Sequence, residues 1–204
     1  MPERLLILNP GSTSTKAAVY DGTRPLFSRS IPHSNQDLAP FPTLNDQLDY
    51  RVALVRGLLA QERVDLSTLT AVVGRGGILP NIVAGGYQVN DALVDCLLHY
   101  PVFEHASNLG GVMALAYIYD AVTSDELLPE ARITGFKGVT RTSFCHVLNA
   151  RATAHKYAES RGLAYKDMNL VVAHLGGGIS ISAHSHGRII DSVSDDAGPF
   201  SPDR

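Results

Sequence analysis

The chain has 204 residues, 45% of them hydrophobic and 18% charged, a balance typical of a globular protein with a buried core. The formal net charge of −3 excludes a basic surface for nucleic acid or for an anionic membrane. Cys96 and Cys145 lie far apart and form no CxxC pair, which argues against a zinc ribbon or a disulfide framework. No apolar run approaches the roughly 20 residues of a membrane span, and the N-terminus has no signal-peptide pattern, so we expect a cytoplasmic protein.

The first part of the chain predicts an α/β arrangement. Residues 1–31 read as three strands joined by tight turns, at 5–8, 16–20 and 26–31. An alternation of helices and strands follows. Helices are expected at 44–61, 89–99, 108–120 and 143–161, and strands at 71–73 and 133–135.

The opening pattern returns near residue 170. Strands are predicted at 170–175, 179–184 and 188–191, and three glycines form the first turn. This is an internal repeat of architecture rather than of letters, and two such α/β units predict two lobes around a nucleotide cleft. We assign 1–165 to a first domain and 166–204 to the beginning of a second.

The first turn carries the strongest candidates for phosphate binding. Its backbone N–H groups and hydroxyls could donate to phosphate oxygens, Lys16 could supply a point charge, and Asn9 could orient a metal-bound water. An ordinary polar hairpin is the alternative for this motif taken alone. The candidate donors are Gly11, Ser12, Thr13 and Ser14.

The second turn has the same character. Glycines after a buried strand are unfavourable in backbone entropy unless something approaches closely, although a flexible loop is the alternative. The spacing fits neither a Rossmann turn nor a P-loop. The candidate residues are His174, Gly176, Gly177 and Gly178.

Single polar residues beside glycine or apolar runs complete the candidates. Arg75 lies among glycines at a strand end, where its planar guanidinium could hold a carboxylate or phosphate. Asp120 follows an apolar stretch, and Arg204 ends the chain. The alternative for Arg75 is a surface arginine, for Asp120 a solvated helix end, and for Arg204 a disordered terminus. For His146 the alternative is a hydrogen-bonded core histidine.

Together these motifs resemble the acetate and butyrate kinases of the actin, Hsp70 and sugar-kinase superfamily. Residues 8–16 are similar to the first phosphate motif of that family and residues 172–180 to its second. The segments 104–110, 144–150 and 198–204 resemble butyrate kinases in particular. The resemblance implies a ribonuclease H-like domain, followed by the first strands of a second, similar domain that is truncated.

The resemblance also implies roles for the candidates. Both turns would contact the phosphates of ATP, and Asn9 would be linked to Mg²⁺ through water. Gly77 and Cys145 would enlarge an acyl pocket beside the substrate-binding Arg75. The catalytic residues would be Asp120, Arg75, His146 and Arg204.

The implied reaction is the reversible phosphorylation of a short-chain carboxylate by ATP, with butyrate as the expected substrate. The resemblance also implies that the full-length enzyme is a homo-oligomer. Acetate, propionate or isobutyrate kinase is an alternative, as is an inactive fragment that only binds phosphate. The chain departs from the family in three ways. Ala121 stands where proline is common, the stretch between Asp191 and Gly198 is slightly short, and the adenosine pocket and a metal-linked glutamate are missing.

Overall fold

The protein is described by a computed structural model over residues 3–80, 82–114, 117–176 and 178–194. The chain divides into two compact units. Unit 1 comprises Met1–Leu79 and Gly86–Tyr119, and unit 2 comprises Pro80–Gly85 and Asp120–Arg204. The domain boundary expected at residue 165 stays a prediction. Among the helices of the described ranges, none combines the length and apolar character that crossing a membrane requires.

Unit 1 is built on a mixed six-stranded sheet. Its strands are β1 (Arg4–Pro10), β2 (Ser14–Asp21), β3 (Arg24–Pro32), β4 (Ala71–Arg75), β5 (Gly86–Gln88) and β6 (Tyr117–Tyr119). They pair in the order β3-β2-β1-β4-β6-β5, and β1, β4 and β6 are parallel. Its helices are α1 (Asn35–Leu38), α2 (Leu48–Gln61), α3 (Asp91–His99) and α4 (Asn108–Ala114).

Helix α2 places one stripe of side chains in the core of unit 1. Its buried residues are Arg51, Val55 and Leu59, which recur every four positions and therefore share one helix face. The two apolar members belong to a cluster with residues of the first three strands, so the helix covers one side of the sheet. The strand members of that cluster are Leu6, Leu8, Ala17, Val19 and Phe27.

Helix α4 lies unusually close to β4 because both elements present glycine at the contact. A Cβ atom added to Gly74 would lie 2.1 Å from the carbonyl oxygen of Gly110. One added to Gly110 would lie 2.4 Å from the carbonyl oxygen of Arg75. Real Cβ atoms do not approach backbone oxygen so closely, so the contact depends on the absence of side chains.

Unit 2 contains helix α5 (Val147–Ser160) and the strands β7 (Asn169–Leu175), β8 (Ile179–Ser185) and β9 (Arg188–Val193). The three strands form an antiparallel sheet in the order β7-β8-β9. The buried face of α5 carries Val147 and three alanines, and small side chains allow a helix to pack closely on its neighbour. The repeat of strand, glycine turn, strand, turn, strand is confirmed.

Two predicted elements are wrong. The helix expected at 108–120 ends at Ala114, and Tyr117–Tyr119 is a strand parallel to β4. Ile118 is buried between two exposed tyrosines, so the period is two, and aromatic and β-branched residues favour that pairing. The strand expected at 133–135 is only an isolated bridge between Ile133 and Thr140, and β5 was not predicted.

A buried histidine in unit 2 is held in its neutral form. His184 Nδ1 lies 2.6 Å from the hydroxyl of Tyr165, and Nε2 lies 2.7 Å from the hydroxyl of Ser182. The side chain is 2% exposed, and burial, aided by the charge of Arg151, lowers the pKa of His184 from 6.5 to about 4. A neutral imidazole has one donor and one acceptor, which two hydroxyls satisfy.

Stability should therefore fall in acid through His184. The unfolded chain binds this proton near pH 6.5 and the native protein only near pH 4, so unfolding becomes easier as the pH falls between these values. We expect a loss on the order of 3 kcal/mol, measured by denaturant unfolding across that range. The slope should shrink in His184→Gln. The same slope in this variant and in the unaltered chain would contradict this account.

The close contact between β4 and α4 predicts opposite effects for two glycine substitutions in helices. Gly110→Ala should destabilise unit 1 by roughly 1–3 kcal/mol, because the new methyl group meets backbone oxygen. Gly57→Ala is the matched control, since nothing lies within 4 Å of its added Cβ, and it should stabilise α2 by about 1 kcal/mol. Thermal and denaturant unfolding would measure both changes. A tolerated Gly110→Ala would show that the helix does not need this close approach.

Candidate functional site

The hairpin between β1 and β2 forms a compact turn with free donors. The N–H of Gly11 donates to the carbonyl of Ser14 at 2.7 Å, and the N–H of His33 donates to the carbonyl of Thr13 at 2.8 Å. Within the described chain, the N–H groups of Ser12 and Thr13 have no backbone acceptor, and both residues are exposed. Adjacent free N–H groups at a turn suit an anion such as phosphate.

The strand register brings three predicted residues to one end of the sheet. Asn9 of β1 pairs directly with Lys16 of β2, so their side chains lie on the same face. Leu8 pairs in parallel with Gly74, which places Asn9 and Arg75 at the neighbouring carboxyl ends of β1 and β4. Carboxyl ends of parallel strands are where ligands bind in open α/β sheets.

Arg75 is a partly buried cation without a counter-charge. Burial lowers the pKa of its guanidinium, and no carboxylate in the described part of the chain offsets that burial. Taking a charge out of water is unfavourable unless it is paired. An arginine in this state, at the end of a parallel strand, is suited to an anionic ligand.

His105 is a neighbour that the sequence did not single out for chemistry. Its Nδ1 accepts the backbone N–H of Ser107 at 3.1 Å, so the neutral ring carries its proton on Nε2. Burial and the charge of Arg75 both lower the pKa of His105. Its place in a segment similar to butyrate kinases was the available signal.

The loop after β4 is shaped by a buried asparagine. Asn108 is 2% exposed, accepts the N–H of Ile78 at 2.8 Å and donates to the carbonyl of Phe103 at 3.1 Å. A Cβ added to Gly77 would lie 2.5 Å from Leu97 Cδ2 and 3.0 Å from Asn108. The missing side chain at Gly77 is therefore required by packing, and its role in acyl selection stays a prediction.

Asp120 belongs to unit 2 and has a constrained geometry. Its backbone is left-handed, with φ of 43°, and its side chain is 2% exposed. Its carboxylate accepts the N–H of Gly85 at 3.0 Å. Its Oδ2 lies 3.4 Å from the Nε of Arg151. Aspartate tolerates this backbone region better than most residues, and such conformations concentrate at functional sites.

Two charged residues that the sequence did not reveal complete this cluster. Arg151 also pairs with Glu126 at 3.2 Å, and Glu126 accepts the N–H of Ile189 at 3.1 Å. Burial raises the pKa of Asp120, and Glu126 adds to that rise. Arg151, the hydrogen bond from the Gly85 N–H and His155 act in the opposite direction. Arg151 therefore fixes the orientation of the Asp120 carboxylate.

His146 lies beside the predicted second turn, which joins β7 and β8. The rings of His146 and His174 stack at 3.9 Å between centroids, with 15° between their planes. The Nδ1 of His146 lies 2.8 Å from the hydroxyl of Ser180, and Asn149 bonds to His174. A Cβ on Gly176 would lie 2.9 Å from His174 Nε2, so a side chain there would require the His174 ring to move. The neighbouring Gly178 accepts the N–H of Gly176 at 3.1 Å.

Cys145 is a core thiol. It is 2% exposed and clusters with Val147 and Ile189. Burial raises its pKa to about 11, and a hydrogen bond with Ser192 only partly offsets this. The thiol is therefore protonated at neutral pH and unreactive, and its predicted influence on the acyl pocket stays a prediction.

The predicted residues divide between the units. The first hairpin, Arg75 and Gly77 belong to unit 1, whereas Asp120, His146, Cys145 and the second turn belong to unit 2. Gly177 and Arg204 lie outside the described residues. Their predicted roles in phosphate binding and catalysis stay predictions.

Solved structures identify the class of fold. Acetate kinase from Porphyromonas gingivalis matches 93% of this chain and 57% of its own with a TM-score of 0.67 at 17% identity. A propionate kinase from Francisella tularensis subsp. tularensis SCHU S4 matches 93% of this chain and 56% of its own with a TM-score of 0.63 at 15% identity. The chain therefore shares the fold of these two kinases, and the predicted ribonuclease H-like fold class is confirmed.

Curated sequences narrow the class further. A probable butyrate kinase of Clostridium botulinum (strain Alaska E43 / Type E3) is 40% identical over 215 residues, covering 100% of this chain and 61% of that protein. Butyrate kinase 1 of Clostridium acetobutylicum is 42% identical over 212 residues, covering 98% and 60%. No protein family model matches the chain. The chain is similar to these butyrate kinases along its whole length and spans about three fifths of the length of these curated relatives.

The cluster around Asp120 predicts a measurable change in its titration. Removing the guanidinium in Arg151→Met should raise the pKa of Asp120 further, because an opposing charge is lost while burial remains. Carbon NMR of the aspartate carboxyl groups would follow this titration. Arg132→Met is the matched control, since Arg132 pairs with Asp125 at 2.7 Å and not with Asp120. The same Asp120 pKa in both variants would refute the pairing.

Proposed function

We propose that this chain carries part of the active site of an ATP-dependent kinase for short-chain carboxylates, with butyrate as the preferred substrate. A carboxylate oxygen attacks the γ-phosphorus of ATP, a P–O bond forms, and the bond from the γ-phosphorus to the bridging oxygen breaks. The products are an acyl phosphate and ADP, whose β-phosphate takes the electron pair. The reaction is reversible because the acyl phosphate is itself an energetic donor.

The observation that carries this proposal is the unneutralised Arg75 at the carboxyl end of β4. It lies next to Asn9, close in the sheet to a hairpin with free N–H groups. A guanidinium binds a carboxylate through two parallel hydrogen bonds, whereas the N–H groups of a turn suit phosphate. The similarity to curated butyrate kinases supports the same pairing of ligands.

The acceptor needs no base. A short-chain carboxylic acid has a pKa near that of glutamate, about 4.3, so it is already ionised at neutral pH. Asp120 is held by Arg151 and by the Gly85 N–H, which suits an orienting role better than proton abstraction. We therefore assign Asp120 to positioning a cation, a water or an arginine at the reacting phosphate.

Charge stabilisation is the main task of the remaining groups. Phosphoryl transfer spreads negative charge over three equatorial oxygens, and fixed cations and N–H donors lower the energy of that state. Arg75 and Lys16 supply positive charge in unit 1, and His146 supplies a ring held by Ser180 and His174 in unit 2. Arg204 is expected to add a second guanidinium.

Magnesium would neutralise charge on the bound ATP phosphates. Magnesium sites usually combine one or two carboxylates with substrate phosphates and several waters. Among the described residues no group of three His, Cys, Asp or Glu could hold a metal ion. We assign the neutral amide of Asn9 to an indirect contact with magnesium through water, as the resemblance implies. The full-length protein is expected to be a cytoplasmic homo-oligomer.

Chain-length preference rests on the relatives named as butyrate kinases. Acetate, propionate and isobutyrate are the competing substrates, since one methylene changes binding by only about 1–3 kcal/mol. Substituting Gly77 would test packing before it tests selectivity, because Leu97 and Asn108 fill the adjacent space. Preference is therefore best measured on the unaltered protein.

A hydroxamate assay for acyl phosphate tests the proposal. It would use ATP, Mg²⁺ and acetate, propionate or butyrate, with this chain and with any longer product of the same gene. We expect a maximum with butyrate. Activity only in a longer product would identify this chain as an incomplete enzyme, and no activity with any carboxylate in either protein would refute the kinase assignment.

The orienting role of Asp120 predicts a strong effect of a small change. Asp120→Asn keeps the size of the side chain and removes the charge that pairs with Arg151. We therefore expect kcat to fall by about two orders of magnitude. The same assay, repeated over a range of Mg²⁺ concentrations, would measure it. Near-normal kcat with unchanged Mg²⁺ dependence would contradict the role.

A further inference from the structure

Arg51 is the most deeply buried cation of unit 1. It is 0% exposed and extends from α2 to the underside of the first hairpin. Its Nη1 donates to the carbonyl of Gly11 at 3.0 Å and to the hydroxyl of Thr15 at 2.9 Å. Its Nε and Nη2 donate to the side chain of Gln47 at 3.1 and 2.8 Å, which fixes the plane of the guanidinium.

No carboxylate among the described residues neutralises Arg51. Burial lowers the pKa of its guanidinium, and only Tyr50 acts weakly in the other direction. A buried charge that is hydrogen-bonded but not neutralised is unfavourable, and an anion bound nearby would reduce that penalty. The hairpin turn that Arg51 contacts carries the exposed N–H groups of Ser12 and Thr13.

The contact with Gly11 also orients the donor of that turn. A trans peptide is planar, so its C=O and its N–H point in opposite directions. Because the carbonyl of Gly11 is directed inward to Arg51, the N–H of Ser12 in the same peptide is directed outward. Ser12 is exposed, and its N–H has no backbone acceptor in the described chain.

We propose that Arg51 is the positioning residue of the phosphate-binding hairpin: it fixes the peptide between Gly11 and Ser12 so that the Ser12 N–H faces a diphosphate. Its charge polarises the same peptide and makes that N–H a stronger donor. Thr15 reinforces the arrangement, since its hydroxyl accepts from Arg51 and lies 2.8 Å from the Nε2 of His33. The proposal rests on the proposed use of this hairpin for ATP phosphates.

A purely structural role for Arg51 gives a different expectation. In that case any change on the buried face of α2 would affect binding only through the fraction of folded protein. Val55 lies one turn further along the same face, is 4% exposed and packs in the apolar cluster of the first three strands. Val55→Ala is therefore the matched control for lost packing.

The test is a titration with inorganic pyrophosphate, followed by NMR through the amide signals of Ser12 and Thr13 and by calorimetry. In Arg51→Met the Kd should rise at least about tenfold, because a charged hydrogen bond to the hairpin is lost. In Arg51→Lys, which keeps the charge but not the planar fork, the rise should be about threefold. Val55→Ala should leave the Kd unchanged.

A second variant covers the case in which Arg51→Met does not fold. Gln47→Leu keeps Arg51 but removes the oxygen that orients it, and a threefold or larger rise in Kd is expected. The proposal is overturned if the Arg51 and Gln47 variants fold and bind pyrophosphate as the unaltered chain does. It is also overturned if the unaltered chain binds no pyrophosphate at these amides.

Failure of the proposed function gives a distinct result. Pyrophosphate binding that depends on Arg51, together with no acyl phosphate from any carboxylate, would refute the carboxylate kinase and keep the role of Arg51. With an active enzyme, KM for ATP should rise about tenfold in Arg51→Met while KM for butyrate changes less than threefold. Equal changes in both constants would contradict a role at the phosphate hairpin.

Discussion

The contact between the backbones of β4 and α4 is the constraint on which the candidate site of unit 1 depends. It requires glycine on both sides, at Gly74 and Gly110, because a single methyl group would overlap backbone oxygen. Close packing there lets Asn108, at the start of α4, reach the loop after β4 and accept the N–H of Ile78. The end of β4, and with it Arg75, is thereby held in one position.

Two arginines of unit 1 have no counter-charge among the described residues. Arg51 and Arg75 are cations that burial disfavours and that no described carboxylate offsets. Asp120 differs, since its burial is countered by Arg151, which Glu126 shares. Unpaired buried charge lowers stability, so both arginines fit the proposed binding of an anionic ligand.

The sequence predicted the parts of the fold that have a local pattern. The hairpin strands, α2, α3, α5 and the repeat at β7 to β9 follow from periodicity and turn residues, and the polar turns were found for the same reason. Strand β6 was missed because its three residues lie at the end of an apolar run. Three residues are too few to distinguish the period of a strand from that of a helix. The family motifs pointed to Arg75, Asp120 and His146 before their surroundings were known.

The supporting residues could not be predicted because their partners are distant in sequence. Arg51 meets Gly11 across 40 positions, and in a helix pattern a lone arginine reads as a solvated side chain. Arg151 pairs with Glu126 across 25 positions, so no local pattern indicates that contact either. Gly110 is required by the backbone of β4, which no local preference reveals.

The most direct test of this account is whether Arg75 holds a carboxylate. The protein would be titrated with butyrate while the Nε–H signal of Arg75 is followed by NMR, in the unaltered chain and in Arg75→Lys. The account predicts a saturable shift of that signal, and binding that is at least about tenfold weaker once the planar fork is replaced. No shift in the unaltered chain, or equal affinity in Arg75→Lys, would contradict it.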